Sequence, residues 1–294
     1  MHKDPSDTKA AWHKRIMGTE GATTGATTGA TTGATTSAYP SGLARFHFIC
    51  GLPRSGAGLL VALLNQNPRF VAASNGPAQT VFADLVDRFA DGGVMGETLD
   101  DSQKIALWRA AIGAVYHNRA ANSVVFDHNP DWVPYIDLLV RLYPLSRFIF
   151  CVRNPAAVVN GLLTHQSETL EGNDQPRAVQ MLMDDEGPVG TQIAALREAL
   201  SSHHAERMLV VDYDRLADDP EDVMDVVYDF LREPEFSHDY ENVGDGGMSG
   251  LAGPIERSDT PMMLSTRTIL QLSGRAFWRN LRRTSATMML GRGR

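Results

Sequence analysis

A chain of 294 residues with 43% hydrophobic and 7% aromatic side chains can bury a sizeable core, as one large domain or two small ones. Its formal net charge of −8 argues against wholesale binding of nucleic acid, which shows as a basic domain or stripe, so any bound anion must be gripped locally. No apolar run approaches the length that spans a bilayer, and Met1 to Glu20 lacks the apolar core of a secretory signal, which predicts a cytoplasmic protein with no membrane span.

Residues 21–36 are four copies of Gly-Ala-Thr-Thr, without a large apolar side chain to anchor them, so residues 1–44 are expected to form a disordered low-complexity tail. From Arg45 the pattern changes to short apolar runs separated by amphipathic stretches, the alternation of strands and crossover helices around a parallel sheet. The runs predict strands at 46–51, 124–127, 147–152 and 208–212. Helices are predicted at 58–65, 78–89, 102–119, 132–142, 156–163, 189–202 and 220–231. Cys50 and Cys151 each end an apolar run, which predicts buried packing and neither a disulfide nor a metal site. From Arg275 onward the chain carries six arginines and no acid, and residues 281–294 read as a basic tail.

The segment Phe46 to Leu60 reads as buried strand, glycine-rich turn and helix, an order that aims free backbone N–H groups at an anion. Arg54 adds a fixed charge able to fork onto phosphate or sulfate oxygens, and Ser55 adds a hydroxyl donor. The loop lacks the Gly-Lys followed by Ser or Thr of ATPases, because Gly56 precedes Ala57 and Gly58, so a metal-dependent NTPase is disfavoured. Arg153 stands at the carboxyl end of a predicted strand with Pro155 opening a helix, the place where open α/β sheets bind ligands. Tyr213 follows another strand, and Asp218 and Asp219 read as caps of the next helix. His128 also lies just past a strand, where neutral imidazole suits a general base near pH 7. A strand-end hydrogen-bonding role for His128 stays open, with His165, His238 and Asp127 as substitute bases. There is no tight His/Cys cluster and no His-Glu-x-x-His pattern.

GLPRSGAGLLVALLNQNPRF resembles the phosphosulfate loop of bacterial sulfotransferases that use 3′-phosphoadenosine 5′-phosphosulfate (PAPS). VVFDHNPDW, RFIFCVRNPAAVV, VVDYDRLADDP and YDFLREPEFSHDYENV are similar to later segments of that family in the same order, and RTIL with the following Ala-Phe-Trp extends the likeness to residue 278. The resemblance implies an α/β domain over residues 45–280, a parallel β-sheet flanked by helices in the P-loop NTPase-like sulfotransferase fold. It implies that PAPS is the sulfuryl donor, that no metal is required, and that a hydroxyl or amine of a small molecule, glycan or peptide is the acceptor. Gly51, Pro53, Arg54, Ser55, Gly56, Ala57 and Gly58 would surround the 5′-phosphosulfate, Arg153 and the position of Gly161 the 3′-phosphate, and Tyr213 the adenine. Arg54 and His128 would serve the chemistry. The sequence departs from the family where Ala57 and Gly58 replace hydroxyl residues and Gly161 replaces a serine. A protein that binds PAPS or its bisphosphate product but transfers nothing is the first alternative, and a kinase-like phosphotransferase the second.

Overall fold

The first apolar run becomes β1 (Arg45–Gly51), buried from Phe46 onward on both faces as a central parallel strand must be. β2 (Phe70–Ser74), β3 (Val124–His128), β4 (Phe148–Val152) and β5 (Met208–Asp212) complete a five-stranded sheet in the order β2-β3-β1-β4-β5. Every pairing is parallel, with Ile49 opposite His128, Ser74 opposite His128, and Gly51 opposite Cys151. The protein is therefore an α/β fold with a parallel sheet flanked by helices. Four of the strands match the predicted runs. β2 went unread because its Phe-Val-Ala-Ala-Ser sequence is short, with two alanines and a buried/half-buried alternation where the other strands are continuously buried.

The computed structural model describes residues 45–90, 94–119, 123–166 and 175–244. These fall into two compact units, one holding Pro77–Arg119 and the other the remaining described residues. The expected tails, residues 1–44 and 281–294, the domain limit at 280 and the segment at 267–278 lie outside the described residues.

In the unit that contains the sheet, α1 (Ala57–Gln66) and α10 (Pro220–Leu231) cover one face. Leu60, Leu63, Leu64, Val223, Val227 and Leu231 pack there with Ile49, Phe126, Ile149 and Val211. Each such side chain contributes about 1.5–3 kcal/mol on burial. The other face carries an aromatic cluster, with Phe48 5.1 Å from Trp132 and 5.6 Å from Phe148 between ring centroids. The predicted helix over 132–142 is two pieces, a 3₁₀ turn at Pro130–Tyr135 and α5 (Ile136–Leu142), because Pro134 has no N–H to continue a helical ladder. The remaining helices are α6 (Pro155–Gln166), α7 (Gln175–Met183), α8 (Pro188–Ser201) and α9 (Tyr213–Asp218). α9 was not expected: Asp212, and not Asp218, accepts from the Asp214 N–H at 2.9 Å and caps it, while Asp219 precedes α10 without a side-chain cap bond.

The unit of Pro77–Arg119 is helical, with α2 (Pro77–Ala90), α3 (Val94–Thr98) and α4 (Asp101–Val115). Trp108 of α4 meets Phe89 of α2 edge-on at 5.1 Å, and Asp100 and Gln103 cap α4 reciprocally. α4 stops before the expected 119 because the N–H groups of Tyr116, His117 and Arg119 each turn to a carbonyl three residues back. Among the described residues no helix is long and apolar enough to cross a membrane.

The chain leaves β1 for β2 and β3 on one side, then crosses to β4 and β5 on the other. The order reverses between β1 and β4, so the carboxyl ends of those strands border the crevice where open α/β sheets take ligands.

Candidate active site

The turn after β1 is pinned to β4 by one carbonyl. Cys151 O accepts from the Leu52 N–H at 3.1 Å, and Ser55 Oγ lies 2.8 Å from the same oxygen and 2.5 Å from Leu52 O. Ser55 is 2% exposed, so its side chain secures the loop and faces away from a ligand, contrary to the hydroxyl role expected from the sequence. Gly51 has φ 130°, and a Cβ there would lie 2.0 Å from Cys151 O, so no other residue fits against β4. Both cysteines are buried and unbonded, and burial pushes the Cys151 thiol up to about 12, which fits packing and not chemistry.

Past half-buried Pro53, Arg54 takes a left-handed conformation at φ 58°, and its exposed side chain projects from the turn. Such a conformation costs a non-glycine residue about 1 kcal/mol or more and marks functional turns. Gly56 follows at φ 87° and opens α1 without any side-chain cap, and the first turn of the helix carries no acid. The first backbone N–H groups of the helix thus have no side-chain cap, the condition under which a helix start can take an anion. Ala57 is buried in the core, whereas Gly58 is exposed and a Cβ on it would meet nothing within 4 Å.

A second cationic group stands just past β4 and β5. The Arg153 guanidinium lies 4.3 Å above the ring of Tyr213, and its buried Nε has no hydrogen-bond partner among the described residues. A buried donor left unmatched costs about 1–3 kcal/mol, so this nitrogen is a position for a bound acceptor atom. Tyr213 in turn lies against Gly56, where a Cβ would come within 2.2 Å of Cδ2. Gly161, on α6, is placed beside Arg54: a Cβ at 161 would be 3.7 Å from Arg54 Nε. Asn154 Oδ1 accepts from the Ala156 N–H at 2.9 Å and squares the start of α6 behind Arg153. Two arginines, an aromatic face and an uncapped helix start thus converge, contributed by the segments after β1, β4 and β5.

His128 ends β3, the strand beside β1, where the Asn129 N–H donates to Ile49 O at 3.1 Å. Its Nδ1 stands 2.6 Å from Ser74 Oγ at the end of β2, and the two side chains are 9% and 7% exposed. Burial pulls the imidazole down to about 4, so it is neutral at pH 7. Asp127 is fully buried and accepts from Trp132 Nε1 at 2.7 Å, which makes it a core group. His238 Nε2 lies 3.1 Å from Tyr228 Oη, itself 3.1 Å from Asn67 Nδ2, a structural network under the core. The side chain of His165 lies outside the described residues. Ser74 was missed by sequence reasoning because β2 was missed; parallel pairing that brings Ser74 opposite His128 is the signal that finds it.

A family model described as sulfotransferase family matches residues 47–238, a span that holds every site residue named above. Protein-tyrosine sulfotransferase 1 of Danio rerio is 26% identical over 226 residues, covering 72% of this chain and 60% of that protein, so the chain spans less than two thirds of the relative's length. A sulfotransferase from Alicyclobacillus acidocaldarius shares the fold at a TM-score of 0.53 and 17% identity, over 84% of this chain and 96% of the other. The sulfotransferase domain of the Synechococcus PCC 7002 olefin synthase is 18% identical over 84% of this chain and 98% of its own, at a TM-score of 0.49. With the matched residues reaching all five strands and the loop at the carboxyl edge of the sheet, the chain belongs to the sulfotransferase family.

Proposed function

We propose that the protein transfers a sulfuryl group from PAPS to a hydroxyl or amine acceptor, using the crevice at the carboxyl ends of β1 and β4. The observation that carries this reading is the Arg153 guanidinium, fixed over Tyr213 with its Nε unmatched, in the same cluster as the uncapped start of α1. This donor set fits a nucleotide with phosphates at two positions. Arg153 would hold the 3′-phosphate, Tyr213 would face the adenine, and Arg54 with the N–H groups of Gly56, Ala57 and Gly58 would hold the 5′-phosphosulfate. Bound there, PAPS supplies the sulfuryl group and leaves as adenosine 3′,5′-bisphosphate.

The residues of the chain divide the remaining work. Arg54 and the loop amides offset the negative charge that develops on the leaving oxygen, a preorganised electrostatic contribution that needs no metal. His128 takes the acceptor proton at Nε2 in the tautomer whose Nδ1–H donates to Ser74 Oγ, and its neutral state at pH 7 leaves that lone pair available. The absence of a hydroxyl at 57, 58 and 161 shifts phosphate binding onto backbone N–H groups and the two arginines. The cytoplasmic location expected from the sequence belongs to the same proposal.

The Danio rerio relative's name supports placing a tyrosyl peptide first among acceptors, ahead of simple phenols, alcohols and sugars. The test is transfer of label from [35S]PAPS across that panel. Labelled product that disappears in Arg54→Ala supports the reading. Tight bisphosphate binding with no transfer to any acceptor and no PAPS hydrolysis would favour the binding-only alternative, which the missing hydroxyls at Ala57, Gly58 and Gly161 make specific.

A further inference from the structure

A second cluster of ligating side chains lies outside the crevice. Asp137 sits in the first turn of α5, and His203 and His204 occupy the turn between α8 and the 3₁₀ turn Ala205–Arg207 that leads into β5. One ligand atom from each of the three residues lies within 4.8 Å of the others. His204 Nε2 is 2.9 Å from Asp137 Oδ1, and the two imidazole rings stand 3.8 Å apart between centroids. We propose that Asp137, His203 and His204 form a binding site for a divalent transition-metal ion of the zinc type, joining the start of α5 to the turn before β5.

The donor set selects the metal class. Two imidazole nitrogens and one carboxylate oxygen suit zinc and its neighbours, while calcium and magnesium favour all-oxygen sets. Three protein ligands leave a fourth position for water, the pattern of an open site. With metal–ligand distances of about 2.0–2.2 Å, two ligands of a tetrahedral ion stand roughly 3.3 Å apart. The Asp137–His204 pair is already near that spacing, and the wider pairs close by rotation of the exposed His203 side chain.

The local charges set the conditions for binding. A neutral imidazole is the form that ligates. The Arg207 guanidinium, an adverse charge for a cation here, is directed to Pro144 O at 2.5 Å. The turn itself is ordered before any ion arrives, since the His204 N–H donates to Ser202 Oγ at 3.2 Å and its carbonyl accepts from the Arg207 N–H at 2.8 Å. Sequence spacing hides the site because Asp137 is distant from the histidine pair along the chain. It uses no residue of the crevice, so it stands or falls apart from the proposed transfer reaction.

The experiment is titration of the chelator-stripped full chain with zinc chloride at pH 7.5, read by competition with a chromophoric chelator and by melting temperature. The expected result is one zinc per chain, a melting temperature that rises with zinc concentration, and an affinity reduced about tenfold or more in each of His203→Ala, His204→Ala and Asp137→Asn. His203 is exposed, so His203→Ala should melt like the parent in chelator and isolates metal binding from folding. A His2→Ala/His13→Ala variant should bind as the parent does. Failure of the parent to bind zinc at 100-fold molar excess would overturn the proposal, as would undiminished binding by both His203→Ala and Asp137→Asn.

Discussion

The ring of Tyr213 occupies the space that a side chain on Gly56 would need, with Cδ2 2.2 Å from an ideal Cβ position. Gly56 also sits at φ 87°, where a Cβ is strained whatever its neighbours. Gly56→Ala should therefore cost about 1–3 kcal/mol in chemical denaturation and weaken bisphosphate binding, because the only escape from the clash displaces Tyr213 from under Arg153. Adding Tyr213→Ala relieves the clash but not the backbone strain. The double variant should accordingly be less destabilised than the sum of the two singles, and strict additivity would show that the two residues do not press on one another.

The three positions that lack the family's hydroxyls differ in what they can accept. A Cβ at Gly58 meets open space, and one at Gly161 meets only the Arg54 side chain at ordinary contact distance. Gly58→Thr and Gly161→Ser should fold with little change in melting temperature and tighten bisphosphate binding, since each hydrogen bond to a charged group is worth about 1.5–3 kcal/mol. Ala57 is packed in the core under the sheet, so Ala57→Thr should instead destabilise by about 1–3 kcal/mol through overpacking. Calorimetry and thermal melts on the three single variants separate these outcomes.

His128 gives a prediction in pH. Its imidazole titrates near 4 in the folded chain against an ordinary value of 6.5, because burial disfavours the charged form. The unfolded chain therefore binds more protons than the folded one between those values. Stability from this group is fully present above about 6.5 and is lost as pH falls toward 4, by roughly 3 kcal/mol over the whole window. His47 adds to the same trend: it is held down to about 3 by burial and by the charges of Arg45 and Arg147, while its Nδ1 accepts from the Arg147 N–H. The His128 ring resonance in an NMR titration should not move above pH 5. A midpoint near 6.5 would show that the ring is solvated and the Ser74 contact absent.

The same residue carries a kinetic prediction. His128→Ala should leave bisphosphate affinity nearly unchanged and lower turnover about 10²- to 10⁴-fold, the usual range for general-base help. Ser74→Ala should lower turnover less and shift the acid limb of the pH profile, because Ser74 only positions the ring. Wild-type turnover in His128→Ala with chemistry rate-limiting would return the ring to a strand-end hydrogen-bonding role.

How much of this was legible in the sequence follows from which interactions are local. The segments after β1, β4 and β5 each announce themselves through a run of buried strand residues, followed in the first two by glycine or proline, so Arg54, Gly56, Arg153 and Tyr213 could be named as separate candidates. That Gly161 sits beside Arg54, and Gly56 under Tyr213, depends on packing between segments far apart in the chain, which no local pattern encodes. Ser55 shows the opposite error. Its hydroxyl reads as a ligand donor, yet the nearest acceptors are the carbonyls of Leu52 and Cys151, which only the β1–β4 pairing brings within reach. Ser74 was invisible for the same reason, because it acquires a meaning only when β2 pairs with β3.

The central claim is that the Arg153–Tyr213–Gly56 cluster and the Arg54 turn hold a nucleotide with phosphates at the 3′ and 5′ positions. Isothermal titration of the full chain with adenosine 3′,5′-bisphosphate in EDTA, against magnesium-ATP in a parallel run, measures it directly. The account predicts at least tenfold tighter binding of the bisphosphate, and a loss of about 10- to 150-fold in Arg153→Ala, the equivalent of one or more charge-assisted hydrogen bonds. Tighter binding of magnesium-ATP, or a bisphosphate affinity that Arg153→Ala leaves untouched, would contradict it.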